Sequence, residues 1–317
     1  MFKKINLIIL LTLSLCADNE LGYGWNIADS SLNIGGYLDM SYDSSTKPNF
    51  LIDDIALLAS ASKNRFDFLA EVELSHITLD FKSQESRKIE LYVERFQLSY
   101  NFNEKQMIRV GRFNSQLGFW NLAPIPILED TISKPHLIGK LFPRYTFGGM
   151  FEQKINKKNK LSVTLQKNSD FTHQENSLES KEHLSLAYYG EDNDLFWHLS
   201  TGSYEDILDH NFNYIGLAIQ YDGEDIGLQS EVYRQESNAK SHVPYSGYAQ
   251  ATWNFEEHQD LVGRVERYKD TGLNVEENIY LFGYAYRPTP NMALKAEYIK
   301  HSVLPINQMV YSFSVLF

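Results

Sequence analysis

The 317-residue sequence predicts an all-β protein, a transmembrane antiparallel β-barrel of about 16 strands (roughly 14 to 18), with a long loop folded into the lumen. Three observations predict this class. Apolar and polar residues alternate along most of the chain, tight turns alternate with longer connections, and the sequence ends in alternating aromatic residues that finish with Phe317. The first observation indicates strands with one apolar and one polar face, and the other two favour the arrangement of these strands in an outer-membrane barrel.

Composition excludes several other classes. The chain has 41 Asp and Glu against 29 Lys and Arg, a net charge of −12, whereas general nucleic-acid binding needs clustered basic residues. A single Cys excludes a disulfide framework and a Cys-rich zinc site. The mean hydropathy of −0.36 excludes a bundle of membrane-spanning helices, because each helix needs about 20 consecutive apolar residues.

The first 17 residues have the features of a cleaved signal peptide. Lys3 and Lys4 precede the apolar stretch Ile5–Leu15, and small residues suited to cleavage follow. The apolar stretch is too short to span a membrane as a helix. A lipoprotein signal that would lipidate Cys16 is the alternative. With either signal we expect the protein to leave the cytoplasm.

The alternation of apolar and polar residues has a period of two. Between Phe66 and Leu74, apolar residues occupy every even position, while Asp67, Glu71 and Glu73 lie at odd positions. This pattern indicates a β-strand with one apolar and one polar face. Beyond the signal no segment shows a sustained helical stripe. We therefore expect almost no helix, except for a short one around Leu128 to Ile132.

Turn residues divide the chain into candidate strands. The predicted bounds are 32–42, 50–61, 65–81, 88–102, 106–113, 144–154, 160–170, 183–190, 193–204, 211–221, 226–235, 243–254, 259–269, 277–286, 291–301 and 306–317. Residues 1–17 are then the signal peptide, 18–31 a short N-terminal segment, and 32–317 the barrel. No plug, passenger or second domain is expected.

The connections between these strands fall into two alternating classes. The tight, polar ones are 62–64, 103–105, 156–159, 191–192, 222–225, 255–258 and 287–290. The longer ones are 43–49, 82–87, 114–143, 171–182, 205–210, 236–242, 270–276 and 302–305. Outer-membrane barrels have short periplasmic turns and longer external loops. A soluble sandwich or propeller would also have alternating strands, but would not require every second connection to be tight.

The last strand carries a further signal. Tyr311, Phe313 and Phe317 alternate with Ser and Leu residues up to the final position. This ending resembles the assembly signal that the barrel-assembly machinery reads in bacterial outer-membrane proteins. The 20 Tyr, 19 Phe and 4 Trp would also supply the aromatic girdles that such barrels place at the membrane interfaces.

Three neighbouring segments carry a family resemblance. Phe68–Ser75, Glu90–Phe102 and Ile108–Phe119 resemble the phosphate-selective porin (O and P porin) superfamily of bacterial outer-membrane porins. In that family a strand with a Tyr-Val pair leads by a short turn into a Val-Gly-Arg-Phe strand, and a long inward-folding loop follows. The resemblance implies a location in the outer membrane of a Gram-negative bacterium and assembly as a homotrimer. Phosphate-transporting members line their channel with Arg and Lys, and no such basic ladder is obvious here.

The loop 114–143 is the candidate functional segment, because connections of this length usually have a function. Charged side chains around a narrow passage select ions by sign. We hypothesise that Arg109, Lys134, Lys140 and Arg144 form a cluster that attracts anions. The alternative is solvated loop charges plus a wall arginine paired with a glutamate. The complete set of predicted lumen residues is Arg95, Arg109, Arg112, Lys134, His136, Lys140, Arg144, Asp39, Asp67, Glu71, Glu73 and Glu266.

The predicted function is a water-filled channel for passive diffusion of small hydrophilic solutes or ions, with an anion or phosphate preference as one option. The nine His residues form no metal-binding pair, and no nucleophile elbow, phosphate-binding loop or dinucleotide fingerprint is present. We therefore expect no catalytic residues, metal or cofactor. The alternatives are a barrel hydrolase, such as a lipase or protease, and a structural or adhesin barrel. Expected partners are outer-membrane lipid, the assembly machinery, small solutes or ions and further copies of the chain, but no nucleic acid.

Overall fold

A computed structural model describes residues 24–27, 31–46, 50–78, 89–123, 125–172 and 178–317, so the predicted signal peptide lies outside the described residues. These residues form strands β1 (Trp25–Asn26), β2 (Leu32–Asp43), β3 (Phe50–Lys63), β4 (Phe66–Thr78), β5 (Glu90–Asn103), β6 (Gln106–Asn114), β7 (Tyr145–Lys154), β8 (Asn159–Gln166), β9 (Ser180–Asp192), β10 (Leu195–Asp206), β11 (Asn211–Asp222), β12 (Ile226–Ser237), β13 (Tyr245–Glu256), β14 (Gln259–Asp270), β15 (Val275–Thr289), β16 (Met292–His301) and β17 (Asn307–Leu316). Single 3-10 turns lie at Trp120–Leu122 and Pro126–Leu128. No helix in this part of the chain is long and apolar enough to cross a membrane.

The strands β2 to β17 form a closed antiparallel barrel. Each pairs with the next strand along the chain, and β17 pairs back onto β2 from Val310 opposite Asp43 to Leu316 opposite Tyr37. Closure gives every strand from β2 to β17 a partner on both sides within the described part of the chain. The predicted all-β barrel of about 16 strands is confirmed, and the observed strands follow the predicted ones in order.

The barrel closes at β2, where β17 and β1 lie along the same side of one strand. Phe317 donates its backbone N–H to the carbonyl of Gly36 at 2.9 Å, and Gly36 donates back to Phe317 at 2.8 Å. Beyond this point β1 continues the pairing, with Trp25 opposite Ile34. The rings of Trp25 and Phe317 lie 6.5 Å apart. The final aromatic residue therefore belongs to the closing ladder, while its role as an assembly signal stays a prediction.

The two faces of the barrel wall have opposite chemistry. On one face aliphatic side chains such as Leu217 and Val232 are exposed, and on the other face charged side chains such as Glu231, Arg264 and Glu297 are buried. Side chains alternate between the two faces of a strand, and directly opposed partners on neighbouring strands share a face. A water-soluble β-protein would bury the apolar face. The observed inversion is the pattern of a barrel surrounded by lipid.

Connections of two kinds lie at opposite ends of the barrel. The connections at one end, 64–65, 104–105, 155–158, 193–194, 223–225, 257–258 and 290–291, are all short, as predicted. The other end carries 44–49, 79–89, 115–144, 167–179, 207–210, 238–244, 271–274 and 302–306. Asn64 and Asn193 adopt φ values of 58° and 53° in the tight turns. Asn tolerates this left-handed conformation better than most residues, which explains its use there.

The short helix expected around Leu128 to Ile132 is wrong. The 3-10 turn begins at Pro126, whose ring presets φ for a helical turn, and the backbone becomes extended at Glu129 with ψ of 145°. The N–H groups of Ile132 and Ser133 then donate to the side chain of Glu297. A carboxylate on the barrel wall therefore satisfies the donors that a helix would have paired internally.

The closing ladder leaves no room for a side chain at Gly36. A β-carbon there would lie 2.4 Å from the Ala56 carbonyl oxygen and 2.8 Å from the Phe317 ring. We predict that Gly36→Ala lowers the free energy of unfolding by about 1–3 kcal/mol, the usual cost of overpacking. The measurement is the urea midpoint of the folded band in unheated SDS gels. Gly263→Ala is the control, because no atom lies within 4 Å of its β-carbon. Equal midpoints for the two variants would contradict the prediction.

Candidate functional site

The loop 115–144 joins β6 to β7, and it also makes hydrogen bonds with distant strands. Its backbone and side chains hydrogen-bond to side chains of β12, β14, β15 and β16. These wall side chains belong to the buried polar face. The loop is therefore bound to the polar side of the wall opposite its own strands.

Glu231 of β12 is the first anchor for this loop. One oxygen of its fully buried carboxylate accepts the N–H groups of Phe119 at 3.0 Å and Trp120 at 2.9 Å, and the Tyr248 hydroxyl at 2.8 Å. Gly118 has a φ of 64°, and a β-carbon there would lie 2.0 Å from the other carboxylate oxygen. Only glycine therefore allows the loop to approach this carboxylate so closely.

Two charged residues of β16 form the second anchor. Glu297 accepts the N–H groups of Ile132 and Ser133, the latter at 3.1 Å. Two residues earlier on the same face, Lys295 donates to the carbonyl oxygen of Pro126 at 2.6 Å. A carboxylate thus binds backbone donors of the loop, and an ammonium group binds a backbone acceptor.

The third anchor lies on β14, between the other two. Arg264 and Glu266 form a buried ion pair at 2.8 Å. Glu266 accepts the N–H of His136 at 2.8 Å, while Arg264 donates to the Thr131 hydroxyl at 2.8 Å and the Ser133 carbonyl at 2.9 Å. The hydrogen bonds to the loop help to offset the cost of burying this ion pair.

Apolar loop residues pack against one half of the wall. Leu117, Leu137, Leu141 and Phe142 are completely buried among aromatic residues of β10 to β13, namely Tyr204, Phe212, Tyr214, Tyr233 and Tyr248. Burying a large apolar side chain contributes roughly 1.5–3 kcal/mol, so this packing is a substantial part of the loop's attachment. These four residues consequently hold one part of the loop on the β10–β13 side, while Ile125 and Ile127 pack against residues of β2, β3, β16 and β17.

A cavity of about 450 Å³ lies between the loop and strands β2 to β5. Its charged lining consists of six carboxylates and two basic groups: Asp39, Asp53, Asp54, Glu73, Glu94 and Glu129, with Lys134 and Arg144. All of these carboxylates except Glu129 belong to the barrel wall, whereas Glu129 and both basic residues lie on the loop. An acidic wall therefore faces a smaller basic strip.

Hydrogen bonds orient the acidic wall. The Ser75 hydroxyl lies 2.5 Å from Asp54 and 2.6 Å from Glu73, and the Tyr37 hydroxyl donates to Glu73 at 3.1 Å. The Ser314 hydroxyl donates to Asp39 at 2.5 Å. These short bonds to neutral hydroxyls hold the carboxylates in position.

Two loop residues have pKa values shifted by burial. Burial raises the pKa of Glu129 to about 7, although Lys134 and Lys295 act in the opposite direction. Burial also lowers the pKa of His136 to about 4, and its ring stacks on Tyr268 with 3.4 Å between ring centres. His136 is therefore neutral near pH 7, while the charge of Glu129 changes across that pH.

The predicted basic cluster is only partly assembled. Lys134 and Arg144 both line the cavity. Arg109 lies elsewhere on the wall and donates to the Ser99 hydroxyl at 3.1 Å, and Lys140 is an exposed loop residue. The structure therefore brings together two of the four residues.

Two further arginines of the prediction are held by wall and loop contacts. Arg95 forms an ion pair with Glu71, the arrangement that the alternative hypothesis described. Arg112 lies directly opposite Phe96, whose side chain belongs to the exposed apolar face. The predicted lumen position of Arg112 is wrong, because residues 109 and 112 are three apart in one strand and point to opposite faces.

Arg112 is instead buried, with 2% of its side chain exposed. It donates to Asp170 at 2.7 Å and to the Val93 carbonyl at 2.9 Å, and its guanidinium group lies 3.9 Å from the centre of the Tyr145 ring. Asp67 also lies away from the cavity, where it accepts from Ser62 at 2.6 Å and Asn101 at 2.7 Å beside a tight turn. Both side chains serve local structure.

Comparison with known proteins identifies the fold. No family model matches the chain, and no curated protein matches its sequence. Solved structures do match. Salmonella typhi OmpF in complex with daunomycin is 11% identical over 91% of this chain and 98% of that chain, with a TM-score of 0.66. The anion-selective porin from Comamonas acidovorans is 10% identical over 91% of this chain and 100% of that chain (TM-score 0.64), and in-vitro folded Vibrio cholerae OmpT in a trimer form is 11% identical over 91% and 99% (TM-score 0.65). The chain therefore has the fold of bacterial outer-membrane porins. The comparisons support this broad class rather than the phosphate-selective superfamily in particular.

The Glu297 anchor generates a testable prediction. In Glu297→Gln one of the two acceptor oxygens becomes an N–H₂ donor, which leaves one of the two loop N–H groups without a partner. The loss of a charged acceptor costs about 1.5–3 kcal/mol, so amide exchange at Ile132 and Ser133 should become at least about tenfold faster. Hydrogen–deuterium exchange of the loop peptides measures this. Glu182→Gln, which removes an exposed carboxylate paired with Lys167, is the control and should leave the loop unchanged. Unchanged exchange in both variants would show that Glu297 does not hold the loop.

Proposed function

We propose that this protein is an outer-membrane porin, a water-filled channel through which small hydrophilic solutes and ions diffuse passively. The observation that carries the proposal is the charged cavity of about 450 Å³ between the loop and the acidic wall of a closed barrel. The apolar outer face supports a membrane location, and the porin-like fold supports the same function. No energy source or cofactor enters this mechanism.

We further propose that the loop lies inside the barrel and narrows the channel. Its anchors on β12, β14 and β16 and its packing against β10 to β13 support this location, and Ile125 and Ile127 also reach β2 and β3. The passage then runs beside β2 to β5. Solutes crossing it would meet carboxylates on the wall and Lys134 and Arg144 on the loop. Opposite charges across a narrow gap create a transverse field, which orients polar solutes as they pass.

The composition of the lining supports a weak cation preference. The described residues of the cavity lining include six carboxylates and two basic groups, so the local field attracts cations. The anion or phosphate preference suggested by the sequence would need more basic groups at this position. The proposed preference is weak, because Lys134 and Arg144 lie within the same lining.

Location and assembly are part of the proposal. We propose export by a cleaved signal peptide in residues 1–17 to the outer membrane of a Gram-negative bacterium, with insertion by the barrel-assembly machinery. We also propose a homotrimer. The likeness to Vibrio cholerae OmpT, whose solved structure is a trimer form, supports this state. Cross-linking in native outer membranes would reveal three-chain species.

Planar-bilayer recording tests the function and the ion preference together. The purified protein should give stepwise conductance, and in a KCl gradient its reversal potential should indicate a preference for K⁺. Asp54→Asn with Glu73→Gln removes two cavity carboxylates and should move the reversal potential toward that of an unselective channel. Glu191→Gln with Asp192→Asn, at a tight turn far along the chain, is the matched control. An absence of conductance would refute the porin proposal, and a Cl⁻ preference would refute only the proposed selectivity.

The shifted pKa of Glu129 predicts a pH-dependent selectivity. A carboxyl group with a pKa of about 7 is mostly neutral at about pH 6 and mostly charged at about pH 8. The preference for K⁺ should therefore increase over this interval. Glu129→Gln should flatten the dependence and retain the selectivity that the wild type has at the lower pH. A variant with the same pH profile as the wild type would contradict the assignment to Glu129.

A further inference from the structure

A groove crosses the outer face of strands β8 to β12. Cross-strand pairing places Val163, Leu186, Thr201, Ile215 and Arg234 in one row across these five strands. The next row toward the long loops contains Leu184, Ser203, Asn213 and Glu236. These two rows enclose a volume of about 540 Å³, which we call the lateral groove.

The groove exists because β10 carries small side chains at this level. Thr201 and Ser203 form its floor, while Leu184 and Leu186 of β9 form one flank. The Thr201 hydroxyl donates to the backbone carbonyl of Tyr214 at 3.0 Å. The Thr201 O–H group therefore already has an acceptor within the wall. The leucine flank offers an apolar surface beside this floor of small side chains.

The other flank carries an ion pair. Arg234 and Glu236 lie 3.1 Å apart on β12, with 73% and 71% of their side chains exposed. Leu217 and Val232, one row further from the long loops, are exposed aliphatic residues. Charged side chains on the lipid-facing side of a barrel are costly at the bilayer centre and nearly neutral at the interface. The ion pair therefore marks the headgroup level, and the aliphatic residues mark the acyl-chain level.

We propose that the lateral groove binds a phospholipid whose headgroup contains both a phosphate and a primary ammonium. This inference rests on the membrane location given under the proposed function. The acyl chain would extend from the groove toward the bilayer centre, over Leu217 and Val232. The phosphate would contact the guanidinium of Arg234, and the ammonium would contact the carboxylate of Glu236.

Charge complementarity selects this occupant. Adjacent positive and negative side chains match a headgroup that carries both signs. A purely anionic headgroup would gain the contact with Arg234 but would approach Glu236 with a like charge. A trimethylated ammonium would keep the charge but would have no N–H to donate to the carboxylate.

Native mass spectrometry of the full-length protein in detergent tests the proposal. Phosphatidylethanolamine is the probe, and Arg234→Gln should lower its bound fraction at limiting lipid by about tenfold, the effect expected from losing one charge-assisted contact. Arg267→Gln is the matched control. Arg267 has 65% of its side chain exposed, lies on the same face as Arg234 and pairs with Glu276, but it lies outside the groove. Equal losses in both variants would overturn the proposal.

A second comparison tests the headgroup. Glu236→Gln should weaken phosphatidylethanolamine binding while leaving phosphatidylglycerol binding equal or stronger. The wild type should bind phosphatidylethanolamine more tightly than either phosphatidylglycerol or phosphatidylcholine. Equal affinities for the three lipids would overturn the assignment. A second copy of the chain retained in place of lipid, and lost in Arg234→Gln, would also overturn it.

The lipid result can be separated from the channel result. Both groove variants should form folded barrels in unheated SDS gels and should conduct in planar bilayers like the wild type. A groove variant that loses its lipid selectivity but conducts normally would show an effect on the groove alone. A wild-type protein that binds the lipid but does not conduct would refute the porin function and leave the groove intact.

Discussion

Backbone pairing is the constraint on which the rest of this structure depends. No water in the hydrocarbon core can satisfy a backbone N–H or C=O group, so a membrane-spanning sheet must close. The pairing of β17 with β2, completed by Phe317 and Gly36, provides that closure. Closure in turn separates two environments. Aliphatic residues occupy the outer face, and the inner face can keep charges that a soluble protein would expose to bulk water.

The buried charges determine where the loop rests. Glu231, Glu266 and Glu297 lie on every second strand of one half of the wall and accept loop N–H groups. Arg264 and Lys295 supply donors for loop oxygens. Unpaired, each of these charges would be costly to bury, and together with the loop they form a hydrogen-bonded network. Polar anchoring and aromatic packing thus act on the same side and leave the cavity on the other.

Much of the fold was predictable from the sequence because its main signal is local. A period of two requires no knowledge of distant contacts, and it predicted sixteen strands and two classes of connection. The helix expected near Leu128 failed because Glu297, more than 160 residues away in sequence, accepts the N–H groups concerned. Local pattern carries no information about such a partner.

The candidate site was less predictable because it depends on register. The alternation alone suggests that Glu231 and Glu297 face inward, but only the three-dimensional pairing shows that they meet the loop. The Arg112 error has a related cause. Arg109 and Arg112 were both assigned to the lumen, although residues at odd and even positions of one strand point to opposite faces. The acidic lining was missed in part because Asp53 and Asp54 lie at a bulge where β3 shifts register against β2.

The three carboxylate anchors bind main-chain N–H groups rather than side chains. Any residue except proline offers the same donor, so the carboxylate hydrogen bonds at positions 119, 120, 132, 133 and 136 do not depend on side-chain identity. The side chains of Ser133 and His136 add their own contacts, with Arg264 and Tyr268. Gly118 is the exception, because space there is restricted. In such a structure the wall carboxylates fix where the loop lies, and the loop side chains determine the chemistry of the lining. Point substitutions in the loop can therefore change the chemistry of the cavity lining while the carboxylates continue to hold the loop on the wall.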